Sequence, residues 1–260
     1  MSKKIVIIGS GNVATHMAIA LFTKEQTILQ IYSRQLTHAE DLAKKVQAHA
    51  INDLKNLRAD ADIYIISVKD DAIGNVAARI KHNIPPSSIV VHTAGSVPLA
   101  VVAEHSEHAA VLYPMQTFTK SRTIDFSQIP CFIEATDDET FDLIENLARS
   151  ISDKVAAADS TQRKALHLAA VFACNMVNHC YHLAEYILEE ADLDFSLLYP
   201  LISETASKAQ ALSPRQAQTG PMVRNDRTVM DRQLAMLHDD DMKEIYEAMA
   251  RSIYKHHNRI

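Results

Sequence analysis

The sequence is poor in cysteine, in excess positive charge and in long apolar runs, and each shortage excludes a class of protein. Its 260 residues include three cysteines, an odd number without a CxxC pair, which argues against a disulfide framework or a metal site such as zinc. The formal net charge of -6 disfavours general binding of nucleic acid or anionic membranes. No stretch of 18 apolar residues occurs, so we expect no membrane span. These absences favour a protein of a reducing compartment, the cytoplasm, without a cleavable signal segment.

Glycine is also scarce, and two of the five glycines lie in one short segment. The segment Gly9-Ser10-Gly11-Asn12-Val13-Ala14 fits G-x-G-x-x-A and stands between an apolar run and a helical pattern. The first glycine would permit a tight turn, and the second would let the backbone approach a pyrophosphate at the start of the helix. The sequence therefore predicts that residues 9–13 bind a dinucleotide. A tight turn without a ligand is the alternative.

Apolar runs alternate with helical patterns along the first half of the chain, as in a parallel sheet with helices on its faces. We predict strands over residues 5–8, 28–32, 48–51, 62–68, 89–92, 110–113, 131–134 and 154–157. Helices are predicted over 12–22 and 37–46, and a third should follow a cap at Asp70 or Asp71. A fourth should begin at a capping box formed by Thr136 and Glu139 and end near residue 151. After residue 159 only helical patterns remain, over 161–190, 195–211, 227–237 and 241–256. The predicted fold is an α/β Rossmann-type domain over 1–158 followed by an all-α domain over 159–260.

The end of the second predicted strand indicates which dinucleotide is bound. NAD enzymes usually carry an acidic residue there, which binds the ribose 2′-hydroxyl. This chain has Ser33 and Arg34 and no acid. A hydroxyl and a guanidinium suit a 2′-phosphate, so the sequence favours NADP over NAD. The alternative is that Arg34 is a solvated surface residue.

Three further strand ends should border the same cleft, because ligands of open α/β sheets lie beyond the carboxyl ends of the strands. We expect Gly95 to let the backbone approach the cofactor closely. His92 is either a buried, hydrogen-bonded histidine or a catalytic one. The predicted cofactor contacts here are Val68, Thr93, Ala94 and Gly95, and the predicted substrate contacts are Ser96 and Gln116.

The longest predicted helix carries a polar seam. At about 100° per residue, Lys164, His167, Asn175, Asn178 and His182 fall within roughly 80° of arc, and most of the other side chains are apolar. We therefore expect a helix buried on most sides, whose polar seam needs a partner or a ligand. His167, with Lys164 nearby, is the predicted proton donor, and Asn175 would orient the substrate. A solvated stripe or a dimer-interface network is the alternative.

The segment from Gly220 to Asp226 is the other unusual stretch. Asp226 is expected to cap the next helix. Arg224 and the seam residue Asn178 are further predicted substrate contacts, with Arg224 holding a carboxylate or, alternatively, forming a surface salt bridge.

Several motifs resemble those of a known group. The chain resembles two-domain bacterial NADP oxidoreductase-like proteins that have a carboxyl-terminal domain of unknown function. The resemblance lies in the amino-terminal I-V-I-I-G-S-G-N-V, the Ser33-Arg34 pair, His92-Thr-Ala-Gly-Ser96, Pro114-Met-Gln-Thr-Phe118 and the segments starting at His167 and Gly220. More distantly, the chain resembles pyrroline-5-carboxylate reductase and the 6-phosphogluconate and β-hydroxyacid dehydrogenase superfamily. That resemblance implies a homodimer formed through the helical domain. The lysine and asparagine of hydroxyacid dehydrogenases stand four residues apart, but here Leu168 follows Lys164 at that spacing, so hydroxyacid chemistry is disfavoured.

Two functions remain open at this point. The first is an NADP-dependent oxidoreductase that reduces a small C=O or C=N substrate by hydride transfer. The second is a non-enzymatic dinucleotide-binding sensor or scaffold, which the fold alone does not exclude. A transferase on a Rossmann sheet is disfavoured by the helical second half and by Ser33 and Arg34.

Overall fold

The computed structural model describes residues 2–258; Met1, Arg259 and Ile260, which the predicted domains include, lie outside the described residues. The chain divides into two compact units, one ending at Asn175 and the other beginning at Met176. No helix within residues 2–258 is long and apolar enough to cross a membrane.

Over residues 2–175, the first unit contains a single sheet of eight strands in the order β3-β2-β1-β4-β5-β6-β7-β8. All neighbouring strands pair in parallel except β6 and β7, which are antiparallel. The predicted Rossmann-type class is confirmed, and each predicted strand is present with small differences at its ends. The strands are β1 (Lys4–Ile8), β2 (Thr27–Tyr32), β3 (His49–Ile51), β4 (Ile63–Ile66), β5 (Ile89–His92), β6 (Ala109–Pro114), β7 (Cys131–Ala135) and β8 (Val155–Ala157).

Helices flank the sheet and make up most of the second half of the chain. In the first unit they are α1 (Asn12–Thr23), α2 (Leu36–Lys45), α3 (Ile73–Ile80), α4 (Ala100–Ala103), α5 (Asp138–Ile151) and α6 (Ser160–Ala170). In the second unit they are α7 (Val177–Glu190), α8 (Tyr199–Ala211), α9 (Pro214–Ala217), α10 (Pro221–Arg224), α11 (Arg227–Ala235) and α12 (Asp240–His257). The short helices α4, α9 and α10 were not predicted, because four residues are too few to show a helical period.

Both faces of the sheet are buried at its central strands. Along β1, Ile5 and Ile7 belong to one apolar core and Val6 and Ile8 to the other, and all four are fully buried. A strand covered on both sides has no solvent-facing position, which explains why β1, β4 and β5 are continuous apolar runs rather than alternating ones.

Two predicted helix caps are wrong. Asp137, not Thr136, caps α5: its carboxylate accepts a hydrogen bond from the Thr140 N–H at 2.8 Å, and this bond, with one from the Thr140 hydroxyl, lowers the pKa of Asp137 to about 2. Asp70 opens the short 3-10 turn Asp70–Ala72 instead of capping a helix, and its carboxylate accepts a hydrogen bond from the Ser96 hydroxyl.

The boundary between strands and helices differs from the boundary between compact units. Strand β8 ends at Ala157 and α6 begins at Ser160, where the sequence placed the domain boundary. The compact units divide further along, after Asn175, because side chains at the start of α6 are bonded to the sheet. The predicted long helix does run from Ser160 to Glu190, but Val171–Met176 within it is a π-helical segment.

Candidate active site

The loop after β1 depends on Gly9 for its path. Gly9 has φ +134°, and a Cβ at this position would lie 2.0 Å from the carbonyl oxygen of Ser67, just beyond β4. The Gly9 N–H donates to the carbonyl oxygen of Tyr32 at the end of β2, at 2.9 Å. Any side chain at position 9 would therefore push apart the ends of three neighbouring strands.

The start of α1 presents free backbone donors. Gly11 is the N-cap residue, so it brings no side chain to cap the helix, and a Cβ there would meet no atom within 4 Å. The first turn of α1 contains no acidic residue. By contrast, aspartates cap four of the other α-helices within residues 2–258, namely Asp137 on α5, Asp159 on α6, Asp226 on α11 as predicted, and Asp239 on α12. An uncapped helix start beside open space is suited to an anion.

The position of this loop in the sheet is the one at which dinucleotides bind. Strand β1 lies between β2 and β4, where the strand order reverses direction and leaves a crevice at the carboxyl edge. Ser10 is buried, Val13 is half-buried and Asn12 is exposed. Ser33 and Arg34 follow β2, Ser33 half-buried and Arg34 exposed, and Val68 follows β4 and is half-buried.

The end of β5 is joined to the end of β4. The buried Thr93 hydroxyl donates to Oγ of Ser67 at 3.1 Å. His92 is fully buried, and its Nδ1 accepts a hydrogen bond from the Ala94 N–H at 3.2 Å. Burial, and secondarily the charge of Arg163, lower the pKa of His92 to about 4. His92 is therefore a neutral interior group, which favours the structural alternative over the catalytic one.

Gly95 leaves room for an aromatic ring. A Cβ on Gly95 would lie 2.6 Å from Cζ of Tyr113, the ring carbon that carries the hydroxyl. The sequence-based argument predicted that Gly95 lets the backbone approach the cofactor; in the structure, the same glycine makes room for Tyr113. A side chain at position 95 would displace the hydroxyl end of that ring.

Tyr113 and His167 form a hydrogen-bonded pair at this edge. The Tyr113 hydroxyl lies 3.2 Å from Nδ1 of His167, and the two rings meet edge to face with centroids 6.0 Å apart. Tyr113 is 8% exposed, and burial, followed by the negative charge of Asp70, raises its pKa. Sequence reasoning selected His167 but missed Tyr113, because the two residues are 54 positions apart in the chain.

A buried ion pair fixes the helix that carries His167. Arg163 on α6 is fully buried and pairs with Glu134 of β7, and it also donates to the carbonyl oxygen of Val97 at 2.7 Å. The Ser160 hydroxyl donates to Glu134 at 2.8 Å and accepts from the Leu99 N–H at 3.1 Å. The first turn of α6 is therefore tied both to the sheet and to the loop after β5. Arg163 was missed because a single arginine in a helical pattern gives no sign of burial.

Lys164 and Asn175, the other seam residues of the first unit, are not hydrogen-bonded to His167. Lys164 and Asn175 are exposed, and neither side chain forms a hydrogen bond within residues 2–258. The π-helical segment Val171–Met176 adds a wider turn, so the angular spacing assumed for an unbroken α-helix does not hold for Asn175 and the residues after it.

The predicted burial of the long helix is wrong for this chain. Leu168 is 59% exposed and Phe172 is 60% exposed. In the second unit, Asn178 on α7 and Arg224 at the end of α10 are exposed. In the first unit, Ser96 is half-buried, and Gln116 is exposed with its Oε1 accepting from the Thr117 N–H at 2.8 Å.

The fold and the glycine loop define a nucleotide-dependent enzyme of the oxidoreductase class. The family model described as NADP oxidoreductase, coenzyme F420-dependent, matches residues 4–95, and a domain of unknown function (DUF2520) matches residues 129–253. A solved structure from Bacteroides fragilis, described as a "putative NADP oxidoreductase", is 45% identical over 98% of both chains with a TM-score of 0.93. The chain belongs to one family with this protein. In this chain, the NADP oxidoreductase-type domain precedes the DUF2520 domain.

More distant structures share the fold. A pyrroline-5-carboxylate reductase from Coxiella burnetii is 15% identical over 99% of this chain and 98% of its own, with a TM-score of 0.61. A reductive aminase from Aspergillus terreus, in complex with NADPH and ethyl-5-oxohexanoate, is 13% identical over 98% and 95% of the two chains, with a TM-score of 0.74. The comparison with curated proteins gave no match.

Proposed function

We propose that the protein is an NADP-dependent oxidoreductase that reduces a small C=O or C=N substrate. The observation that carries this proposal is that one edge of the sheet holds both an uncapped, glycine-built helix start and a hydrogen-bonded pair of titratable side chains. The first suits a diphosphate, and the second suits proton transfer.

The cofactor would be held mainly by residues 9–13, Ser33 and Arg34, here called the nucleotide end of this edge. Residues 9–13 would bind the pyrophosphate, because Gly11 leaves the N–H groups at the start of α1 open to an anion. The exposed Arg34 and the half-buried Ser33 would hold the 2′-phosphate. Val68 and residues 93–95 would border the nicotinamide. When bound, NADPH supplies a hydride.

Tyr113, His167 and the loop containing Gly95 form the other part of this edge, here called the reaction end. The substrate would lie beside it, and His167 would supply a proton there. Ser96 would contact the substrate there, since it directly follows Gly95, which lies against Tyr113. The sequence-based proposals stay for the other residues. Lys164 and Asn175 would assist His167, and the substrate would contact Asn178, Gln116 and Arg224. Reductive aminases from Aspergillus terreus have been solved with the carbonyl compounds ethyl-5-oxohexanoate, cyclohexanone and ethyl levulinate, which supports carbonyl or imine substrates as the class to test.

We further propose a homodimer formed through the helical region. Several large apolar side chains are strongly exposed along the long helix, on α8 and in the 3-10 turn Phe195–Leu198 before it, among them Leu168, Phe172, Tyr186, Leu197, Tyr199 and Leu201, at 46–63% exposure. A monomer rarely leaves so many large apolar groups in water. Analytical ultracentrifugation should show a dimer for the wild type and a weakened one for Phe172→Glu. A monomeric wild-type protein at micromolar concentration would overturn this proposal.

The catalytic assignment is tested with a defined set of probes. NADPH oxidation is followed with 2-methyl-1-pyrroline, ethyl levulinate, and cyclohexanone plus allylamine. We expect turnover with at least one probe, and we expect His167→Ala to lower it by about 100-fold or more while NADPH affinity stays unchanged. Full turnover in His167→Ala would reject its role. No turnover with any probe would favour a protein that binds the dinucleotide without catalysis.

A further inference from the structure

We propose that the Tyr113 hydroxyl is the group that hands the proton to the substrate, and that His167 is the relay that restores it. This inference rests on the proposed function, and it assigns the last step of proton delivery to a residue that sequence reasoning had not selected. Three features of the site support it, namely the position of the ring, the proton that the ring carries, and the route to solvent.

The phenol ring is held in one place at the reaction end. Tyr113 lies near the carboxyl end of β6, next to β5, whose following loop contains Gly95. The Gly95 backbone fills one side of the ring, the Phe132 ring lies 6.3 Å away between centroids, and His167 meets the ring edge to face. A ring packed in this way keeps its hydroxyl in a fixed position, which proton transfer to a bound substrate requires.

The Tyr113 hydroxyl is protonated before the substrate reacts. Burial and the neighbouring Asp70 both disfavour the phenolate and raise the pKa of Tyr113, so the hydroxyl is protonated at neutral pH. Asp70 itself is held in place by the hydrogen bond from Ser96.

His167 connects this buried hydroxyl to water. Its Nδ1 lies 3.2 Å from the Tyr113 oxygen, whereas the residue as a whole is half-buried rather than enclosed. The buried pair of Arg163 and Glu134 fixes the first turn of α6, which precedes His167, and so positions the imidazole against the ring. An imidazole has two ring nitrogens, so it can take a proton from solvent at one and give a proton to Tyr113 at the other.

The proton and electron balance of the step is complete. The substrate carbon gains a hydride, and the electron pair of the C=O or C=N double bond moves onto oxygen or nitrogen. That atom takes the proton as the O–H bond of Tyr113 breaks, which leaves a phenolate. The phenolate then takes the proton from Nδ1 of His167, and His167 regains one from solvent. Each turnover therefore consumes one proton from water.

The test compares two tyrosines with the same substitution. Tyr113→Phe removes the proposed donor. Tyr64→Phe is the matched control, because Tyr64 is also buried and its hydroxyl also forms a hydrogen bond. That hydroxyl donates to the Arg58 carbonyl oxygen at 2.5 Å, and Arg58 precedes β4, so the bond lies away from the carboxyl edge. With the probe panel above, we expect Tyr113→Phe to lower kcat by about 100-fold or more with little change in KM, and Tyr64→Phe to leave kcat unchanged. Calorimetry should give the same NADPH affinity for both variants.

A second readout does not depend on turnover. The imidazole of His167 is titrated by NMR in the wild type and in both variants, with its signal assigned from His167→Ala. We expect its titration midpoint to move in Tyr113→Phe and to stay in place in Tyr64→Phe, because only the first loses the shared hydrogen bond. An unmoved midpoint would show that the two groups are not coupled in solution, and it would overturn the relay.

The outcomes separate the two proposals. If the wild type reduces a probe and Tyr113→Phe reduces it equally well, Tyr113 is not the donor, while the proposed reductase function stands. If kcat falls less in Tyr113→Phe than in His167→Ala, His167 gives the proton directly and the inference is overturned. If the wild type binds NADPH but reduces no probe, the reductase function itself fails, and the role of Tyr113 fails with it.

Discussion

The two ends of the candidate site are built in different ways. The nucleotide end is made of one short loop and the residues after the neighbouring strand, and it would act mainly through backbone N–H groups. The reaction end combines side chains from β6, β7, the loop after β5 and α6. Six consecutive residues are enough to form a site that binds through backbone N–H groups. A proton-transfer site, by contrast, depends on the tertiary fold, which brings distant side chains together.

The largest expected effect is at the reaction end and concerns the buried ion pair. Arg163→Met would leave Glu134 without its partner, and it should lower the free energy of unfolding by about 3 kcal/mol. The matched control is Arg149→Met, which breaks the exposed pair with Glu145 and should cost less than about 1 kcal/mol. Denaturant titration measures both. Equal, small losses would mean that Arg163 does not fix α6.

The pH dependence of stability provides a second test at the reaction end. The pKa of His92 falls from an ordinary 6.5 to about 4 on folding, so the unfolded chain binds more protons between these values. Stability from a neutral His92 should be complete above pH 6.5 and should be lost as the pH falls towards 4, by about 3 kcal/mol in total. The acid limb of unfolding should be shallower in His92→Gln than in the wild type. The exposed His38→Gln is the control, and an acid limb of unchanged slope in His92→Gln would count against this account.

At the nucleotide end, the strongest expected effect comes from Gly9. In Gly9→Ala, the new Cβ would collide with the Ser67 carbonyl oxygen at a φ that favours glycine, so the loop must move. We expect NADPH affinity to fall by about 100-fold, or about 2.7 kcal/mol. Gly74→Ala is the control, since it meets only a Val101 side-chain atom at 3.2 Å. Calorimetry that found equal affinities in the two variants would separate the loop from the cofactor.

The smallest expected effect distinguishes the two dinucleotides. Arg34→Ala should weaken NADPH by about tenfold, or about 1.4 kcal/mol, and leave NADH unchanged, because only NADPH carries the 2′-phosphate. Arg79→Ala removes an exposed arginine of α3 and serves as the control. If NADH weakened as much as NADPH, Arg34 would not be reading the 2′-phosphate.

The contrast between the two ends also explains what could be predicted from the sequence. Strands buried on both faces, such as β1, β4 and β5, are continuous apolar runs, so the sheet was predictable. Gly9 and Gly11 were predictable because their spacing carries the geometry of the loop. Tyr113 and Arg163 were not, because their importance depends on Gly95 and Glu134, which lie far from them in the chain.

The helical region shows the same limit from another side. A run of apolar side chains predicts burial, but it does not say whether the covering surface belongs to the same chain. Leu168 and Phe172 are apolar, and they are more than half exposed. The π-helical turn at Val171–Met176 was equally hidden, because no composition rule marks where a helix widens.

Calorimetric titration of the folded wild-type protein with NADPH and, separately, with NADH measures whether the carboxyl edge of the sheet binds a dinucleotide. We expect saturable binding of NADPH at one site per chain and weaker binding of NADH, with both lost when the Gly9 loop is altered. A folded protein that gives no binding signal with either dinucleotide would contradict the assignment of the carboxyl edge of the sheet as a cofactor site.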